Sequence, residues 1–230
     1  MLILAIDTAT KIGSVALYDD KIGVVGEINL YVKVNHSNVI MSAVDSLFKL
    51  TGFTIKDIDR IAVTIGPGSF TGIRIGAAIA KGLAYSLKKP IVGVNELDIL
   101  ANSAEYREEI IVPLIDARKE RVYFSKYAYE RKKIVRMAEY KDGELREILG
   151  ELKGKKTVFI GDGAIVNKDL IEEVMGDEQI IFSKAGSIPR AAVAAQLAVE
   201  MEEDNIYTLE PFYVNKSQAE REKEEREKRN

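Results

Sequence analysis

The chain has 230 residues, 47% of them hydrophobic, and its 33 basic and 36 acidic side chains leave a formal charge of −3. That length and apolar content support a sizeable core in one large or two small domains, of which we expect two, and no overall positive field recruits nucleic acid directly. Zero cysteines exclude disulfides and thiolate chemistry, and a single histidine, His36, excludes any site that needs two imidazoles.

Met1 to Asp7 is apolar and lacks a basic leader, so it reads as a buried first strand of a cytoplasmic protein. Thr8 to Gly13 turns and Ser14 to Tyr18 returns, which puts Asp7 at the tip of a strand-turn-strand unit. Ser37 to Leu50 has helical spacing, with Ile40, Val44, Leu47 and Phe48 on one face. Val39, Ala43 and Leu50 widen that face, and Gly52 ends the helix. Arg60 to Ile65 is a strand, Gly66 to Gly68 turns around Pro67, and a helix is predicted from Phe70 to Leu87. Glycines here let the backbone come close to a ligand, and the free N–H groups of the helix start, with Ser69, Thr71 and Arg74, offer donors to an anion. The same glycines suit a tight strand-to-helix turn that only relieves crowding. Gly72, Gly76, Ala77, Ala80 and Ala84 make the helix small-faced, ready to pack closely on its own sheet or on a partner subunit. Val92 to Asn95 closes the first sheet, and the domain boundary is placed near Leu100 to Tyr106.

The plan then repeats. Ile110 to Asp116 leads through Ala117 to Arg121 into Val122 to Ser125, so Asp116 takes the place of Asp7. Thr157 to Gly163 repeats Arg60 to Gly68, each an apolar strand ending in Gly-x-Gly. A helix from Ile188 to Glu203, capped by Ser187 with Pro189 in its first turn, is expected near the domain junction as the counterpart of the 70–87 helix. The chain thus reads as α/β with duplicated domains over 1–101 and 102–215. A charged tail over 216–230 reads as frayed helix or disorder. No apolar run approaches the ~20 residues of a membrane span. The high charge content without cysteine or tryptophan leans toward a thermophilic source.

Val63 to Gly76, Ala80 to Ala84 and Ile3 to Thr10 together resemble the TsaB (YeaZ) family. The likeness continues through His36-Ser37, Val92 to Val94, Leu114 to Arg118, Gly161 to Ala164 and Glu210 to Tyr213, so it spans nearly all of the chain except the tail. The resemblance implies two duplicated actin-like, Hsp70-like domains of the ASKHA, ribonuclease H-like class. It implies a non-catalytic accessory subunit that pairs with the catalytic sibling TsaD for threonylcarbamoyl transfer to adenosine 37 of tRNA (t6A biosynthesis). It further implies that the P-loop ATPase TsaE joins through the complex, that tRNA is met only indirectly, and that the chain alone is a homodimer. The sibling holds a metal through a His-x-x-x-His pair; here Ile40 stands four positions after His36 and cannot ligate, so neither a metal nor a catalytic residue is expected. Candidate nucleotide contacts carry over to Asp7, Thr8, Gly66, Gly68, Ser69, Gly161, Asp162 and Gly163. The Asp7-Thr8-Ala9 turn lacks a glycine, and Arg118 to Arg121 crowd the second turn, so the expectation is weak ATP or ADP binding and no required cofactor. The expected partner interface comprises Val39, Ile40, Ala43, Val44 and Leu47 on one helix and Ile73, Gly76, Ala77, Ala80 and Leu83 on the other. The alternative is an ATP-dependent actin-like phosphotransferase acting alone.

Overall fold

The computed structural model describes residues 1–32, 36–104 and 107–214; the readings made for the His36 side chain and the 216–230 tail lie outside the described residues. Strand β1 (Leu2–Asp7) is buried along its whole length, as a central strand covered on both faces must be. It pairs antiparallel with β2 (Ile12–Asp19), and β2 pairs antiparallel with β3 (Gly23–Tyr31). On its other side β1 runs parallel to β4 (Arg60–Gly66), which runs parallel to β5 (Ile91–Asn95). The order is β3-β2-β1-β4-β5. In the second sheet β6 (Ile110–Asp116) is central. The strands β7 (Arg121–Phe124), β8 (Tyr127–Glu130), β9 (Lys133–Arg136), β10 (Lys141–Glu144), β11 (Thr157–Ile160) and β12 (Gln179–Ile181) complete it in the order β10-β7-β6-β11-β12, with the β8–β9 hairpin branching from β6. Antiparallel pairs lie on one side of β6 and parallel pairs on the other. Both sheets therefore follow one path, third-second-first-fourth-fifth, and the repeat seen in the sequence is a repeat of topology.

Helices α1 (His36–Thr51) and α2 (Phe70–Leu87) cover one face of the first sheet. Ile40, Val44, Leu47, Phe48, Ala80 and Ala84 meet Leu4, Ile6, Val15, Leu17, Ile61 and Val63 there. This packing corrects the expected partner interface. Ile40, Ala43, Val44, Leu47, Ile73, Gly76, Ala77 and Ala80 are buried within the chain, and Val39 and Leu83 are half-buried. An amphipathic helix buries its apolar stripe on its own sheet first, because that surface is always present. Helix α3 (Glu96–Ser103) joins the two halves. In the second half α4 (Leu145–Leu152) and α6 (Lys168–Met175), with the short α5 (Asp162–Val166) between β11 and α6, bury Leu145, Leu149, Leu152, Ile171 and Met175 on Val112, Leu114 and Phe159.

The last helix, α7 (Ala191–Ala198), departs from expectation in length and cap. It covers the other face of the first sheet, where Ala191, Ala192, Ala194, Ala195 and Ala198 meet Ile3, Ala5, Ala16 and Ala62. Small residues on both surfaces allow that close approach. The counterpart of α2 is the α5–α6 pair that follows β11, so α7 does not fill that role. Pro189 disfavours helical backbone at Ile188, and Arg190, in extended backbone, is the N-cap before the first helical residue, Ala191. Ser187 is not the cap; its hydroxyl donates to Phe182 O. The caps come from the first sheet: Ala191 N donates to Ser14 Oγ and Ala192 N to Glu27 Oε1, both at 2.9 Å, while Arg190 donates twice to Glu27 Oε2. Glu27→Ala is expected to lower the unfolding free energy by about 1–2 kcal/mol in urea titrations, with Glu27→Gln milder because it keeps an acceptor. Beyond α7 the chain stays on the first sheet. Asp204 N donates to Ile91 O, Asp204 Oδ2 accepts from Gly93 N, and Phe212 N donates to Ile65 O.

Candidate functional site: the interdomain cleft

A cleft of about 690 Å³ lies between the two halves. The β1–β2 turn contributes Thr10 and Lys11, the start of α2 contributes Ser69, Phe70 and Thr71, and the β6–β7 turn contributes Asp116 and Arg118. Asp162 and Ile165 of α5 and the stretch from Lys184 to Pro189 close the far wall. Lys11, Arg118 and Lys184 therefore share one concave surface with Asp116 and Asp162. Asp116 Oδ1 accepts from Arg118 N at 2.9 Å, and Asp162 Oδ1 accepts from Asp116 N at 3.0 Å. Burial pushes the Asp162 carboxyl upward, opposed by that N–H bond. Arg118, Lys119 and Glu120 all adopt left-handed backbone, with φ of 68°, 53° and 58°. Long side chains in that region are uncommon outside places where the surrounding structure holds them.

The glycine run before and inside α2 serves the β1–β2 turn. A Cβ at Gly68 would lie 2.3 Å from the Ala9 carbonyl oxygen, one at Gly72 2.1 Å from the Thr8 carbonyl oxygen, and one at Gly76 2.4 Å from Thr8 Oγ1. Thr8 Oγ1 donates to Gly72 O at 2.7 Å, Ser69 N donates to Ala9 O at 2.6 Å, and Ser69 Oγ accepts from Gly72 N. The turn is thus pressed into the helix start, and two of its N–H groups, those of Ser69 and Gly72, are already used. Arg74 is engaged as well: it lies 3.7 Å from the Phe70 ring centroid and donates to the Tyr213 hydroxyl, with Phe70 and Tyr213 stacked at 5.1 Å.

Of the candidate nucleotide contacts, Gly68, Ser69 and Asp162 line the cleft; Asp7, Thr8, Gly66, Gly161 and Gly163 do not. Gly66 makes room for Phe212 O, and Gly161 and Gly163 for the backbone of Leu114. Asp7 is fully buried, and its Oδ1 accepts from Ala9 N at 2.9 Å. It faces Glu96 and Thr64, both also buried. Burial raises the Asp7 carboxyl, with Ala9, Glu96 and Thr64 pulling it back. Burial pushes Glu96 well above the ordinary carboxylate range, and the charge of Asp7 adds to it. Two residues along α3, Asp98 accepts from the Tyr127 and Tyr140 hydroxyls, each at 2.6 Å. Neither Glu96 nor Asp98 was singled out from the sequence. The available signal was a pair of acids at i, i+2 opening an apolar helix directly after a buried strand.

Two sheets of one topology, with a cleft between them lined by the turns that follow their equivalent first strands, define an actin-like, ribonuclease H-like α/β protein. The family model for TsaD, described as tRNA N6-adenosine threonylcarbamoyltransferase, matches residues 12–223. The tRNA threonylcarbamoyladenosine biosynthesis protein TsaB of Bacillus subtilis is 36% identical over 222 residues, covering 96% of each chain. YeaZ from Pseudomonas aeruginosa superposes with a TM-score of 0.78 at 25% identity, covering 92% of this chain and 99% of its own. A tRNA N6-adenosine threonylcarbamoyltransferase of Clostridium perfringens is 39% identical over 105 residues, 45% of this chain and 27% of the relative. The chain belongs to the TsaB family. Among the described residues no helix is long and apolar enough to cross a membrane.

Proposed function

We propose that this chain serves t6A synthesis on tRNA as an accessory subunit without chemistry of its own, paired with a TsaD-type threonylcarbamoyltransferase. The observation that carries this reading is the plugged β1–β2 turn. Thr8 and Ala9 press onto Gly68, Gly72 and Gly76, and Asp7 lies sealed beneath them, so these glycines receive the turn rather than a phosphoryl group. That argues against a phosphotransferase acting alone, and it makes nucleotide binding weak and a cofactor unnecessary. The pairing surface is the outward side of the two first-domain helices, where Met41 and Leu50 of α1 and Ala78, Gly82 and Tyr85 of α2 are exposed. Ala78 and Gly82 let another helix come close. In the absence of the transferase a second copy of the chain covers the same helices. TsaE enters through the assembled complex, and tRNA contacts the transferase.

The test is reconstitution. Ala78→Glu is expected to weaken association with TsaD about tenfold and to cut t6A formation accordingly, while the folded secondary structure of the chain, read by circular dichroism, stays unchanged. Full t6A formation without this chain, or tight ATP binding with turnover by the chain alone in calorimetry, overturns the reading.

A further inference from the structure

The first turn of helix α3 is fastened to both halves. Glu96, its first residue, is buried against Asp7 at the tip of β1, whereas Asp98 holds Tyr127 and Tyr140 of the second domain. The apolar residues divide in the same way. Ile99 packs with Ile3, Val92, Val94 and the alanines of α7, while Leu97, Leu100 and Ala101 pack with Ile111, Ile115, Tyr127 and Ile160. The seat of α3 therefore sets the angle between the halves.

Asp7 Oδ2, both Glu96 carboxylate oxygens and Thr64 Oγ1 are buried, and among the described residues none of them has a hydrogen-bond partner. Two carboxylates facing each other away from water cannot both stay ionised, so the pair retains a proton as a unit. We propose that Asp7 and Glu96 form a proton-bridged lock that holds the interdomain cleft closed, and that loss of the shared proton opens it. The charges around the pair give the direction of movement. The charge of Asp162, on α5 of the second domain, adds a smaller push in the same direction on Glu96. Asp162 itself faces Asp116 of β6 and Lys11 of the β1–β2 turn. With the proton in place, Glu96 donates to Asp7 and Asp162 is tolerated nearby. Once the proton has left for solvent, two negative charges confront Asp162, and the second domain withdraws. The sign for stability follows the same logic. Both carboxyls bind protons more tightly in the folded chain than in the unfolded one. Stability therefore falls as pH climbs from the ordinary carboxylate range through the raised values.

The inference is independent of any role in tRNA modification, and its test needs only the isolated chain. Because the chain has no cysteine, Lys56→Cys and Glu147→Cys place one dye on an exposed site in each domain. Energy transfer between the dyes is expected to fall between about pH 5 and about pH 9 in the parent and to stay level in Glu96→Gln, whose amide donates to Asp7 at every pH. Glu96→Gln is also expected to melt about 2–4 °C above the parent at the alkaline end. Asp7→Asn, which keeps an acceptor for Ala9 N, is the second variant and should level the profile in the same way. Identical pH profiles in parent and variants overturn the lock. So does a magnesium-dependent rise in melting temperature that appears in the parent and is lost in Glu96→Gln, since that assigns the oxygens to a cation.

Discussion

Gly72→Ala is expected to destabilise the chain by about 2–3 kcal/mol or more, because the added Cβ would meet the Thr8 carbonyl oxygen at 2.1 Å. The obstacle is backbone, so it cannot swing aside as a side chain would. Relief requires either α2 or the β1–β2 turn to move, and that turn is tied to α2 by the Thr8 hydroxyl and the Ser69 N–H. Gly76→Ala should cost less, since its obstacle is Thr8 Oγ1, which can rotate at the expense of its bond to Gly72 O. Gly82→Ala is the control: it lies on the same helix with open space around it, and should gain about 0.5–1 kcal/mol from helix propensity. Urea denaturation of the three variants separates crowding from propensity. A Gly72→Ala chain as stable as Gly82→Ala would remove the plugged turn from the functional argument.

Asp98→Ala is expected to cost about 3–5 kcal/mol, from two hydroxyl-to-carboxylate bonds of about 1.5–3 kcal/mol each, reduced because Tyr140 is only half-buried. The Tyr127 hydroxyl has the larger share. Tyr127 is almost wholly buried between the two halves, and Asp98 is the acceptor that its O–H meets there. Asp98→Asn keeps one acceptor oxygen and should lose about half as much. Thermal unfolding checks the order of the two. If Tyr127→Phe restores most of the stability lost in Asp98→Ala, the cost lies in the orphaned hydroxyl rather than in a cavity.

Signals confined to a few consecutive residues were legible from the start. The limits of α2 follow from the glycine turn and the periodic run after it, with Ser69 emerging as the cap only in the structure, and α1 ends at Gly52, where φ is 77° and the N–H returns to Phe48 O. Asp7 and Asp116 were placed at equivalent tips because each closes an apolar run before a polar turn. Helix α7 failed for the opposite reason. Its caps, Ser14 and Glu27, stand 177 and 165 residues away from the N–H groups they serve, so no local pattern could mark its start. The candidate nucleotide glycines are a third case: Gly68 lines the cleft whereas Gly66, Gly161 and Gly163 admit neighbouring backbone, and a glycine that admits a phosphate has the same local sequence as one that admits backbone.

By itself, then, the sequence determined the α/β class, the duplication, the family resemblance and the chemistry that cannot occur in a chain with one histidine and no cysteine. Tertiary structure alone decided which apolar helix faces were already spent on the chain's own sheets, that the Gly68 to Gly76 stripe receives the Thr8–Ala9 turn, and that Asp7 meets Glu96 in a sealed pocket. Periodicity and turn chemistry report which surfaces need covering. What covers them depends on segments far apart in the chain, and only folding brings those into contact.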